Sequence, residues 1–288
     1  MRHSPLFIIL LLTVLCFAAP WIESLRGINS NEADLALRFL PPSAQHWLGT
    51  DELGRDVFLR LLYGGQVSLG VALLAAMAAG SIGTMVGMLA GYAGGRTDAL
   101  LMRLTDLLIA LPALPLLIIL AALDLEKLGI SAEAAQAKYA SLYKISILIA
   151  LLGWTTLARL ARARTLVLRQ SDFVRAARAL GVTHARILAR HILPNILNTV
   201  SVAVTLAVGH IILMESVLSF LGLGIQPPLP SWGNMLTHAE DYIWENARLM
   251  IYPGLLIFTA VLCFNFMGDQ LQDRLDPRSI NRKPAPRS

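Results

Sequence analysis

Charge is scarce in this chain. Of its 288 residues only 15% are Asp, Glu, Lys or Arg, while 56% are hydrophobic. A soluble domain carries about a quarter charged residues, and no single soluble core encloses this much apolar side chain, so an ordinary water-soluble fold is excluded. Cysteine is nearly missing: Cys16 and Cys263 both fall inside apolar runs. That excludes a disulfide framework and leaves two small core hydrophobes. The six histidines are scattered without ligand spacing, so no metal site is expected. No G-x-x-x-x-G-K-[ST] loop occurs, so the chain has no such nucleotide cradle of its own. It lacks a convincing internal repeat, which speaks against a stand-alone secondary transporter built of symmetric halves. It also lacks any polar segment longer than about forty residues, which speaks against a membrane-anchored regulator.

What is present is long apolar runs. A helix crossing the hydrocarbon layer needs about 20 mostly apolar residues, and six windows qualify, at residues 5–22, 66–92, 99–123, 142–160, 196–221 and 249–268. The first could be read as a signal peptide ending at Ala18-Ala19, but Pro20 and the missing small-x-small site argue against cleavage. Basic residues orient the rest. With the N-terminus inside, one compartment receives Arg2, Arg96, Arg103, the eight arginines between 159 and 190 and the five basic residues of the tail; the other receives Arg26, Arg38, Arg55, Arg60, Lys127, Lys138, Lys144 and Arg248. The richer side is the cytoplasm, and both termini lie there.

Within the spans, Ala75, Ala79, Gly83, Gly87 and Gly91 recur at steps of four and form a small-residue strip suited to tight helix packing. Pro112 and Pro115 in "ALPALP" should kink the third span. Asp106 belongs near the cytoplasmic end of that span. Glu215 stands in the fifth span, where a carboxylate either lines a path or bonds between helices; His210 makes no metal site with it. Outside the spans, Asp51 and Glu52 suit a helix start, and Leu53, Val57, Leu61 and Leu62 recur at helical spacing, which predicts an amphipathic helix at the outer interface. Asp51, Glu52 and Asp56 do not complete a calcium loop. The stretch "GLGIQPPLPSWGNML" reads as an ordered outer loop, acidic toward Glu240, Asp241 and Glu245.

Between two greasy spans sits "FVRAARALGVTHARILARHILPN". Ser171 or Asp172 can cap a helix on which Phe173, Ala176, Ala177 and Leu180 make one apolar face. Gly181 suits the left-handed position after it, Thr183 can cap a second helix and Pro194 closes that helix. A short cytosolic helix with an apolar face and two small alanines reads as a docking knob for a cytosolic protein. Its arginines also suit lipid phosphates. With membrane tethers on both sides and no dimer element, a nucleic-acid reader is a poor fit.

This segment resembles the EAA loop of the permease subunits of binding-protein-dependent ABC importers. Ala176, Ala177, Gly181 and Pro194 match that pattern, and Arg175 replaces its acidic residue, as in the oligopeptide/dipeptide branch. The stretches "LGTDELGRDVFLRLLYGG", "GYAGGRTDALLMRLTDLLIALPAL", "SFLGLGIQPPLPSWGNML" and "FNFMGDQLQDRLDPR" are similar to the same branch, most to its C-type subunit, from Leu48 to Arg278. The resemblance implies an all-α integral membrane protein with six transmembrane helices of the type I importer architecture. The first helix would occupy 1–22, an extracytoplasmic segment 23–65, a five-helix core 66–270 with a coupling loop at 161–195, and a cytoplasmic tail 271–288. It implies that Phe173, Arg175, Ala176, Ala177, Leu180, Gly181 and Pro194 build the loop that couples to an ATPase. Implied partners are a second permease in a heterodimer, two cytosolic ATPase subunits and an extracytoplasmic solute-binding protein, with membrane lipid around them. No cofactor bound by the chain itself and no nucleic-acid partner are expected. The implied cargo is a peptide or similar small solute, or alternatively nickel or a metal chelate, and the implied location a prokaryotic inner membrane.

Overall fold

A computed structural model describes residues 4–237, 239 and 241–275. The expected tail lies outside the described residues from 276 onward, as do Arg2 and Glu240. The described chain is helical: α1 Ser4–Phe17, α2 Ala19–Arg26, α3 Val57–Ala93, α4 Gly95–Ala110, α5 Ala113–Ala121, α6 Ala132–Ala135, α7 Ala140–Arg169, α8 Asp172–Ala179, α9 His184–Ile187, α10 Leu193–Phe220, α11 Ile243–Asn246 and α12 Arg248–Leu275. Four helices are long and apolar enough to cross a membrane, counting His184–Phe220 as one. There are up to six spans if each of two bent pairs is one: Pro5–Phe17 with Ala19–Arg26, bent by 49°, and Gly95–Ala110 with Ala113–Ala121, bent by 84°.

The third span is thus broken at a corner rather than kinked. Pro112 biases the residue before it away from helix, and Leu111 is extended, with φ −80° and ψ 136°. Pro115 then falls in the first turn of α5, where its missing N–H costs nothing.

Helix α3 corrects the expected interfacial helix. Asp51 does not start it; its Oδ1 accepts from the amides of Leu53 and Arg55, both at 2.9 Å, and closes a turn. Gly54 in that turn is left-handed, φ +77°. The cap is Asp56, whose Oδ1 accepts from the Leu59 amide at 2.9 Å. From there the helix runs unbroken to Ala93. Val57, Leu61 and Leu62 are buried against protein, so their helical spacing reports a packed face rather than a membrane-surface one.

Helix α7 also outruns its apolar window, continuing through residues 161–169 of the expected loop. Nor does Pro194 close a helix: it is the second residue of α10, directly after a π turn at Leu188–Ile192. Proline has no N–H for the carbonyl four residues back, and a local widening of the ladder accommodates that loss.

Two compact units emerge from the packing of the described residues. One comprises 4–75, 114–149 and 208–263; the other 76–113, 150–207 and 264–275. Leu59, Leu69, Ile145, Ile212, Leu218 and Trp232 are fully buried in the first. The second centres on Tyr92, Ala161, Val174, Ala177, Ile187, Ile192, Ile196 and Val200. Large apolar side chains such as Val14, Met77, Met85, Ile147, Leu151 and Phe258 stay exposed along the helices, the surface a lipid-facing helix needs.

Candidate functional site

The basic segment folds as a helix with two different faces. Ser171 precedes α8 in an extended conformation, but its hydroxyl donates backward to the Leu168 carbonyl instead of capping. One face of α8 points into the protein, where Val174 and Ala177 are buried with Ile187, Ile192 and Tyr92. The other face points away: Phe173 is 44% and Leu180 83% exposed, and Ala176 lies exposed between them. This corrects the single apolar face expected from spacing. Ala177 is an anchor, not part of the free surface, and Val174, which lies outside the face that spacing predicts, is its companion. The signal was present in Val174 and Ala177 at i and i+3, but the neighbouring Phe173–Ala176–Leu180 set overlaps it. Arg175 pairs with Asp172 at 2.6 Å. Both groups are well exposed, so the pair contributes roughly a few tenths of a kcal/mol, and Arg175 is no anchor.

Gly181 follows with φ +75° and open space around it, so the turn uses its conformational freedom rather than its size. The chain then re-enters the protein at α9, where His184 Nδ1 lies 2.8 Å from the Tyr92 hydroxyl. Arg178 of α8 stacks over the Tyr92 ring at 4.8 Å. Tyr92 ends α3, so the knob is tied to that helix by a hydrogen bond and a cation–π contact. Neither contact was legible beforehand, because the partners lie far apart in sequence.

The helix pair beneath the knob is tight. A Cβ on Gly83 would fall 2.6 Å from the Trp154 carbonyl oxygen, one on Gly87 2.3 Å from that of Ala158, and one on Gly91 2.9 Å from that of Arg162. Backbone of α7 therefore occupies the groove that the missing side chains leave in α3. Arg162 adds a two-pronged ion pair to Asp98, with Nε–Oδ1 at 2.5 Å and Nη2–Oδ2 at 2.6 Å. Asp106 pairs with Arg159, both partly exposed.

Glu215 lies elsewhere, in the first unit, and is fully buried. Its Oε2 accepts from Ser68 Oγ at 2.9 Å and its Oε1 from Ser219 Oγ at 2.7 Å. Both oxygens are engaged within the protein, so this carboxylate joins helices α3 and α10. Among the described residues no three His, Cys, Asp or Glu side chains gather as a metal site.

Comparison with known proteins accounts for this arrangement. Residues 83–281 match the family described as binding-protein-dependent transport system inner membrane component. A protein of Escherichia coli (strain K12) named as a probable D,D-dipeptide transport system permease is 38% identical over 96% of this chain and 87% of its own length. One named as a peptide permease in Brucella suis biovar 1 (strain 1330) is 39% identical over 96% of this chain and 88% of its own. Among solved structures, an inward-facing form of the MetNI methionine ABC transporter aligns with TM-score 0.59 at 18% identity, over 75% of this chain and 96% of that one. An amino acid ABC transporter crystallised with histidines aligns at 0.53 and 17% identity, over 75% of this chain and 94% of that one. The fold is that of the type I importer permeases, and the chain belongs to the binding-protein-dependent transport inner membrane component family, as a multi-pass permease subunit of an ABC importer working with other transporter components.

Proposed function

We propose that this chain is the peptide-carrying C-type permease of an ATP-driven importer in a prokaryotic inner membrane. It pairs with a second permease, two cytosolic ATPase subunits and an extracytoplasmic solute-binding protein. It crosses the bilayer six times, the two bent pairs each counting once, with both termini in the cytoplasm. Phe173, Ala176 and Leu180 seat in a groove of the ATPase, while Val174 and Ala177 fasten the same helix to the pair of membrane helices α3 and α7. Gly181 lets the chain turn back, and Arg175 stays in solvent. The chain binds no cofactor; energy comes from ATP hydrolysed on the separate subunits.

The observation that carries this reading is the two-faced helix α8, buried on one side and exposed and apolar on the other, in a chain matched by peptide permeases along nearly its whole length. A helix fastened on one face and free on the other can pass a displacement from whatever grips it to the bundle behind. The peptide cargo rests on the names of those relatives. The test is copurification of the intact assembly followed by mass spectrometry of the bound solute and ATP-dependent uptake into vesicles. Peptides in the bound fraction and uptake of labelled dipeptide support the reading; nickel or a metal chelate in both assays would replace it.

A further inference from the structure

Glu215 does more than join two helices. Each serine that donates to it also accepts from a backbone amide of the loop that follows α10. Ser219 Oγ accepts from the Ile225 amide at 3.0 Å, and Ser68 Oγ accepts from the Trp232 amide at 3.2 Å. Two relays thus run from one buried carboxylate to the two ends of the proline-rich stretch between residues 225 and 232. At the second end, the Trp232 side chain is fully buried and donates its indole N–H to the Leu61 carbonyl at 2.9 Å. A Cβ on Gly65 would fall 2.8 Å from that ring, so α3 makes room for it. Asn234 Nδ2 donates to the carbonyls of Ile225, at 3.2 Å, and Leu229, at 2.8 Å, which closes the loop on itself. Pro227 and Pro228 are left exposed at its tip.

A buried carboxyl group that orients two hydroxyls, each of which fixes a backbone amide, is a positioning device: its two acceptor oxygens decide which way both hydroxyl protons point. We infer that Glu215 is the positioning residue of the outer loop, clamping residues 225–232 through Ser219 and Ser68 so that the proline tip is presented in one fixed shape to the solute-binding protein. The last clause rests on the importer reading; the clamp itself does not.

The experiment uses the assembled transporter in detergent, with Ile225→Cys or Leu229→Cys as reporter. Both positions are buried, so maleimide labels them only when the loop opens. Replacing Glu215 with Leu should raise labelling at both by about tenfold, as expected when a buried hydrogen-bond hub is lost and the segment opens locally. Glu215→Gln, which keeps an acceptor, should stay within about threefold of the parent. Ser219→Ala should free the 225 reporter more than the 229 reporter, and Ser68→Ala the reverse; these two also carry the test if Glu215→Leu fails to accumulate. Unchanged labelling in Glu215→Leu and in both serine variants would overturn the clamp. In parallel, the stimulation of ATP hydrolysis by solute-loaded binding protein should fall several-fold in the variants whose loop opens. Full stimulation with an open loop would overturn its presenting role while leaving the labelling result intact. Labelling requires no transport, so it separates the clamp from the importer reading.

Discussion

Three neighbouring residues of the knob differ in what a substitution would disturb. Ala177 is 7% exposed, beside fully buried Val174 and Ile187; Ala177→Phe overpacks that cluster, a change that costs about 1–3 kcal/mol. Gly181 has φ +75° and nothing within 4 Å of an added Cβ. Gly181→Val therefore meets no neighbour but a forbidden backbone, about 1–2 kcal/mol. Leu180 is 83% exposed, so Leu180→Asp should leave the thermal midpoint of the permease unchanged. All three should lower uptake, for different reasons. The first two should lower the midpoint in a detergent melt and disturb the hinge of the knob; the third should act only by weakening recovery of the ATPase subunits in copurification. A Leu180→Asp chain that retains its ATPases and its uptake would mean that the exposed face does not dock.

At the scale of helices, glycine separates into two kinds. Gly87 has the Ala158 carbonyl oxygen and the Ala161 Cβ at 2.3 and 2.7 Å from where its own Cβ would stand, whereas Gly70, in the same helix, has nothing within 4 Å. Gly87→Val should push α7 away and lower stability by at least about 2 kcal/mol. Gly70→Ala should raise it by about 0.5–1 kcal/mol by removing backbone freedom from the unfolded chain. Melting both variants in one detergent checks the contrast; equal shifts would refute the tight α3–α7 contact. The step-of-four pattern made the strip legible in the sequence, as apolar length did the long helices, because both are local properties. Helix ends were less legible. The start of α3 lies later than spacing predicts because Asp51 looks like a cap while it serves a glycine turn. Pro194 does not end a helix, as its residue type predicts, because a π turn absorbs the proline. Least legible were the inward face of α8 and the serines around Glu215. Their meaning depends on residues more than a hundred positions away in one case, Ser68 with Glu215, and ninety-two in the other, Tyr92 with His184.

For the whole molecule, the question is where the work comes from. The sequence holds no G-x-x-x-x-G-K-[ST] loop, and among the described residues the carboxyl group of Glu215, fully buried in a long helix, is held by Ser68 and Ser219, which gives it a structural bonding role inside the bundle. What the chain does have is a knob whose root ties α8 and α9 to the end of α3 through Tyr92. Motion imposed on such a knob reaches a membrane helix without passing through a loop, and a bundle driven that way needs an outside engine to change state. Vesicles holding this chain alone should therefore accumulate no dipeptide with either ATP or an ion gradient, whereas vesicles holding the full assembly should accumulate it with ATP. A crosslinker at Ala176→Cys, exposed between Phe173 and Leu180, should capture the ATPase subunit in that assembly, and the yield should change between nucleotide-free and ATP-bound states as the knob shifts in its groove. Gradient-driven uptake by the chain alone, or a crosslinker that never joins it to an ATPase, would remove the engine from outside the chain and with it the reason for a two-faced helix.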